Sequence, residues 1–217
     1  MQMPPDMVIF DCDGVLVDSE SITDRVMQAN FERHGLRLEA SEIAQLFTGG
    51  TMQGAMDGAL ALGADLPNDW LDQIYPEIFD ALANEVVVIP GAIDVLNALD
   101  DAGIPYAIGS NGPHAKMDVT LTRTGLKARL LGRIYSREDV PNAKPAPDVY
   151  LKAANDAGID PSRCVVIEDS ASGAKAGVAA GMFTIGFHAE TPKDRLEPIC
   201  DALFDDMSEL PALLALK

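Results

Sequence analysis

The chain has 217 residues, 47% of them hydrophobic, and a formal net charge of -18. That length buries one good core, or a core with a small satellite, and the apolar content excludes a disordered chain. So acidic a surface repels nucleic-acid phosphates and anionic membranes, so no nucleic-acid or membrane partner is expected.

The start, MQMPPDMVIF, lacks a basic n-region and runs straight into a strand-like segment, which argues against a signal peptide. Met7–Phe10 reads as the first buried strand. From about residue 19 to 86 the pattern is helical only: Ile22–His34, Ser41–Phe47, Thr51–Leu62 and Asn68–Asn84, the last bent at Pro76. After that, strands and helices alternate. Tyr106–Gly109, Arg133–Tyr135, Cys164–Ile167 and Thr184–Phe187 read as buried strands. Ala92–Ala102, Lys116–Thr124, Asp148–Ala157 and Ala171–Ala180 read as amphipathic helices. Gly103, Gly125, Gly158 and Gly181 each follow one of these helices, where a terminating glycine belongs. Alternation implies an α/β fold with a parallel sheet covered on both faces. The expected organisation is a core of residues 1–18 and 87–217, interrupted by a helical insertion of residues 19–86. No apolar run approaches ~18 residues, so no membrane span is expected. Cys12, Cys164 and Cys200 are too few and too far apart for a disulfide framework. A cytoplasmic protein, a monomer or small homo-oligomer, is the expectation.

Candidate chemistry collects at the strand ends, where open α/β sheets place ligands. Asp11 and Asp13 follow the first strand two residues apart, so in extended chain both project to one side. Cys12 points the other way and reads as a small core residue. Gly14 frees the chain to turn at once. In SNGP, residues 110–113, Ser110 and Asn111 can hold phosphate oxygens, although a turn with a helix cap uses the same residues. Lys144, in NAKPAPD, can supply a fixed positive charge, or be an ordinary exposed loop lysine. VVIEDS, residues 165–170, ends another strand in Glu168 and Asp169. These are oxygen ligands suited to Mg²⁺, or else the start of a helix cap. A buried group of carboxylates is costly unless a metal and a lysine neutralise it. Together the four segments supply what phosphoryl transfer needs: a nucleophile, a proton shuttle, a metal site and a cation.

In this order, from Asp11 to Asp169, the four segments resemble those of the haloacid dehalogenase-like hydrolase superfamily, and with the insertion the resemblance spans nearly the whole chain. It implies a Rossmann-like core with a small helical cap, and an Mg²⁺-dependent phosphatase acting on a small phosphorylated metabolite. By that resemblance Asp11 is the nucleophile, forming an aspartyl-phosphate. Asp13 is the general acid/base and lends a backbone carbonyl to the metal. Ser110 and Lys144 hold the phosphate, and Asp169 with Glu168 completes the metal site. The branch resembled contains β-phosphoglucomutases and sugar-phosphate phosphatases. A mutase of that branch has a histidine where Thr23 stands, and a lysine and an arginine where Thr48 and Met52 stand, so hydrolysis is expected over isomerisation. SNGP followed by Lys116 and Met117 resembles bacterial 6-phosphogluconate phosphatases. The loop Thr48, Gly49, Gly50, Thr51 is the expected substrate-binding loop of the cap. Its glycines allow close backbone approach and its hydroxyls suit a polyol, although Thr51 could equally cap the next helix.

Two other classes fit less well. A phospho-receiver module lacks both the helical insertion and an acid two residues past its phosphorylated aspartate. A dinucleotide-binding oxidoreductase needs a G-x-G-x-x-G turn, and none follows any strand here. His34, His114 and His188 have no metal-ligand spacing. His34 reads as closing a helix, and His114 as facing the site or lying in a surface loop.

Overall fold

A computed structural model describes residues 3–47 and 51–216. The chain forms two compact units: one runs up to Val17 and resumes at Val88, and the other is Asp18–Val87.

In the first unit, β1 (Met7–Phe10), β4 (Tyr106–Ser110), β5 (Ile134–Ser136), β6 (Cys164–Glu168), β7 (Phe183–Phe187) and β8 (Ala202–Phe204) form one sheet. The order is β5-β4-β1-β6-β7-β8 and every pairing is parallel. All residues of β1, β4 and β6 are buried, as continuous apolar runs in a sheet covered on both faces should be. The helices are α5 (Ala92–Ala102), α6 (His114–Arg123), α7 (Asp148–Ala157), α8 (Ala171–Ala179) and two short ones, α9 (Lys193–Leu196) and α10 (Leu210–Leu213). The apolar face of α7, with Val149, Tyr150, Ala153 and Ala154, packs on Met7, Ile9, Ala107 and Val166 of the sheet. Each large side chain so buried is worth about 1.5–3 kcal/mol. The opposite device serves α8. Its buried face is Gly173, Ala174, Ala176 and Gly177, and a Cβ on Gly177 would stand 2.6 Å from Thr184 Oγ1, so small residues bring that helix close to the sheet. Gly103 and Gly158 end α5 and α7 with φ of 67° and 69°, the left-handed cap that glycine accepts without strain.

The second unit holds α1 (Glu20–Arg33), α2 (Ala40–Phe47), α3 (Met52–Ala61) and α4 (Trp70–Glu85). Its centre is Trp70, stacked on Phe31 at 5.5 Å, with its indole N–H donating to the buried Asn30 Oδ1 at 2.7 Å. The stretch expected to bend at Pro76 continues through it as one helix. Two-residue strands, β2 (Val17–Asp18) and β3 (Val87–Val88), pair where the division between the units falls. No helix among the described residues is long and apolar enough to cross a membrane.

The register fixes where the chemistry lies. Phe10 stands opposite both Ile108 and Ile167. Asp11, Ser110 and Glu168 therefore leave three neighbouring strands within two residues of one level. The first extends the ladder once more, its N–H donating to Ile167 O at 2.9 Å.

Candidate active site

Asp11, Lys144, Glu168 and Asp169 are all buried at this edge of the sheet. The lysine ammonium lies 2.5 Å from Asp11 Oδ1 and 2.6 Å from Glu168 Oε1. It also sits 4.7 Å from the centre of the Tyr150 ring, whose electron-rich face favours a cation. Asn111 places it: the side-chain amide accepts from Lys144 N at 2.9 Å and donates to Lys144 O at 3.2 Å. The asparagine expected to touch phosphate therefore has both ends of its amide on the lysine's backbone.

Glu168 is enclosed on all sides. Its Oε1 accepts from Lys144 and from the Tyr150 hydroxyl at 2.7 Å, and its Oε2 accepts from Ser170 N and Ser170 Oγ at 3.0 and 2.9 Å. The first turn of α8 lies so close that a Cβ on Gly173 would stand 1.6 Å from Oε1. Asp169 is approached from the other side by Gly14. That residue has φ +75°, and a Cβ on it would come within 2.1 Å of Asp169 Oδ2. Only glycine suits both the turn and the approach.

Asp11, Glu168 and Asp169 each offer a carboxylate oxygen within 4.8 Å of the others. Burial pushes the Asp11 carboxyl up to about 7; Lys144 works against this, while Glu168 and Asp13 reinforce it. Burial also opposes the Lys144 charge, but Asp11 and Glu168 outweigh it and hold the ammonium above its usual range. A cluster that binds protons this strongly is short of positive charge, and its donors are all hard oxygens. Both properties fit Mg²⁺.

Asp13 pairs with Lys116 of α6 at 2.8 Å. Ser110 is buried, and its Oγ accepts from Gly112 N at 2.9 Å, while Ser136 Oγ donates to Gly112 O at 2.7 Å. The SNGP turn is thereby fixed to two strand ends. Cys12 is fully buried, and burial raises its thiol well above the usual range, which removes it as a nucleophile. His114 is exposed, with Nε2 2.9 Å from Asp139 and its backbone N–H donating to Glu138 at 2.8 Å. His34 caps α1 and bonds through Nδ1 to Asp65 O at 2.9 Å. Thr51 is the N-cap of α3, its hydroxyl accepting from Gly54 N at 3.0 Å. Thr48, Gly49 and Gly50 lie outside the described residues.

Tyr150 is the residue of this site that sequence reasoning missed. In the sequence it is one more apolar position on the buried face of α7. Its place in the first turn of α7, six residues after Lys144, is the signal that could have marked it.

A parallel sheet whose central strands end in paired acids, with a buried lysine reaching them from the loop before α7, defines an α/β enzyme built for phosphoryl chemistry. A family model for haloacid dehalogenase-like hydrolases matches residues 5–181, and the chain belongs to that family. It is an enzyme of phosphatase type. It is 29% identical to the 6-phosphogluconate phosphatase of Escherichia coli K12, over 95% of this chain and 93% of that one. It is 32% identical to hexitol phosphatase A of the same organism, over 88% and 87%. Among solved structures, a HAD family hydrolase of Deinococcus radiodurans R1 with bound phosphate and sodium superposes with a TM-score of 0.84. The identity there is 38%, covering 98% of this chain and 96% of that one.

Proposed function

We propose that this phosphatase hydrolyses a small sugar or sugar-alcohol phosphate through an aspartyl-phosphate on Asp11, with Mg²⁺ held by Asp11, Asp169 and the Asp13 main-chain carbonyl. The observation that carries the reading is the buried Asp11 carboxylate, gripped at 2.5 Å by Lys144 within a cluster of three acids. The substrate class rests on the names of the relatives, one a 6-phosphogluconate and one a hexitol phosphatase.

Asp11 attacks phosphorus as the ester P–O bond breaks, and Asp13 gives its proton to the departing alcohol oxygen. Asp13, now a carboxylate, takes a proton from water. The water oxygen attacks phosphorus, and Asp11 leaves with its carboxylate restored and phosphate released. Lys144 stays beside Asp11 and offsets negative charge on the transferring group. A cation held by these residues would supply charge neutralisation and Lewis acidity at the phosphoryl group. Glu168 has both oxygens engaged by the protein, so its part is to hold Lys144 in place. It remains one of the three acids whose oxygens lie within 4.8 Å of one another. Asn111 and Ser110 hold the loops that frame the phosphate.

Isomerisation has less support. Thr23, standing where a mutase needs a histidine, donates its hydroxyl to Ser19 O at 2.8 Å inside its own helix. The helical unit Asp18–Val87 is the candidate for substrate choice. A phosphate-release screen over sugar, sugar-alcohol and sugar-acid phosphates, with Mg²⁺ and with EDTA, tests the reading. Turnover that survives excess chelator removes the metal, and release from none of these esters removes the substrate class.

A further inference from the structure

Lys116 belongs to none of the four segments that carry the proposed chemistry, yet it reaches the acid that does the proton work. It sits in the first turn of α6, mostly buried, with Nζ 2.8 Å from Asp13 Oδ1. Gly112 lies beside this pair. A Cβ there would stand at ordinary contact distance from both, 3.9 Å from Lys116 Cδ and 3.5 Å from Asp13 Oδ2, and more tightly, 3.2 Å, from Ser110 Oγ. Lysine stem, glycine and carboxylate are thus packed against one another, and Gly112 is itself tied to Ser110 and Ser136. The grip on Asp13 comes from a mostly buried side chain on a helix, unlike a surface ion pair between two mobile side chains.

An ammonium has three donors and no acceptor. The carboxyl oxygen it holds must act as an acceptor, which ties that group to the start of α6. We propose that Lys116 is a positioning residue for catalysis: it anchors the Asp13 carboxyl through Oδ1 and so fixes how that group is presented to the reacting ester. This rests on the phosphatase reading above, with Asp13 as acid and base. No bond to Lys116 forms or breaks. It limits rotation of the carboxyl.

The expected signature is dependence on the leaving group. p-Nitrophenolate departs without a proton and phenolate benefits from one, while the two esters are close in size. In K116M the ratio of kcat/KM for p-nitrophenyl phosphate to that for phenyl phosphate should rise about tenfold, a modest part of what general acid catalysis supplies. K116R keeps a cation at the position and should hold the ratio within about threefold of wild type. The ratio cancels any loss of folded enzyme, so a purely structural lysine would leave it unchanged. An unchanged ratio in K116M, with a raised ratio in D13N, overturns the proposal. An unchanged ratio in D13N also refers the failure to the assignment of Asp13 as acid. Hydrolysis of neither ester by the wild-type enzyme refers it to the phosphatase reading, and the proposal falls with it.

Discussion

Replacing Lys144 with methionine keeps most of the stem and removes the ammonium. In the folded protein that ammonium is shared by Asp11 and Glu168 at 2.5 and 2.6 Å, with all three groups buried. Removing one partner from a buried ion pair costs about 3–5 kcal/mol, because the charge left behind has lost both water and its counter-ion. Glu168 retains the Tyr150 hydroxyl and both donors of Ser170, so it is partly compensated. Asp11 has lost its ammonium, and its remedy is a proton. Its carboxyl already titrates near 7, raised by burial. A carboxyl raised in the folded state contributes stability that is full below its unfolded value and lost as pH rises through the folded one. The penalty of K144M should therefore be largest near pH 8 and smaller near pH 5.5, where Asp11 is neutral. For a chain of this size about 3–5 kcal/mol corresponds to a fall of roughly 6–20 °C in Tm. Thermal melting of wild type and K144M in EDTA at the two pH values, followed by circular dichroism, measures it. A fall below about 2 °C near pH 8, far under the buried-pair cost, or equal falls at both pH values, would refute the argument that this pair is dry.

Three further outcomes follow from the same geometry. Asp11→Asn should abolish acid-stable phosphoenzyme and turnover, while Asp13→Asn should lose about 10²–10⁴-fold in kcat, both read by quenched-flow labelling and phosphate release. Near wild-type turnover in Asp11→Asn would point instead to direct attack by water. Gly14→Ala drives a methyl group to 2.1 Å from Asp169 Oδ2 at a φ of +75°, so Mg²⁺ affinity measured by calorimetry should fall with little change in the rest of the fold; unchanged affinity would remove Asp169 from the metal site. Because Asp11 holds its proton up to about 7 without metal, Mg²⁺ binding near pH 6 should release protons and tighten as pH rises. Calorimetry in buffers of different ionisation enthalpy detects this, and no buffer dependence would exclude Asp11 as a ligand.

Much of the sheet was legible because its central strands are unbroken apolar runs ending in carboxylates. Four of the helices around it were bounded by glycines whose left-handed φ is visible as a residue type. β8, Ala202–Phe204, was not legible: three residues between Asp201 and Asp205 give no periodicity. β2 and β3 were missed for the same reason, since two residues carry no pattern. At the site, residue types at successive strand ends, together with the family resemblance, drew Asp11, Asp13, Lys144, Glu168 and Asp169 into one constellation. The division of labour among them came from the resemblance and not from the residues themselves. The enclosure of Glu168 depends on Tyr150 and Ser170, one from a helix and one from its cap, and no spacing rule links them. Asn111 was read as a phosphate donor because its amide suits that purpose. Its partner proved to be a backbone 33 residues further along the chain.

The hydrogen bond from Ile89 N to Leu16 O, at 3.0 Å, has a bearing on how such a chain can be rebuilt. Both residues belong to the unit that carries the sheet. The roughly seventy residues between them thus leave and rejoin that unit at points one ladder spacing apart, about 5 Å. A detour whose ends meet places no demand on the length or fold of what lies between, since a loop of any size closes such a gap at slowly growing entropic cost. The insertion is in this sense a cassette. A tight turn joining Val17 to Val88 would leave every strand pairing of the large sheet intact, and so would a different helical module spliced between the same two residues. On the proposal that this unit governs substrate choice, such a splice would exchange selectivity without touching Asp11, Lys144 or the strand order that brings them together.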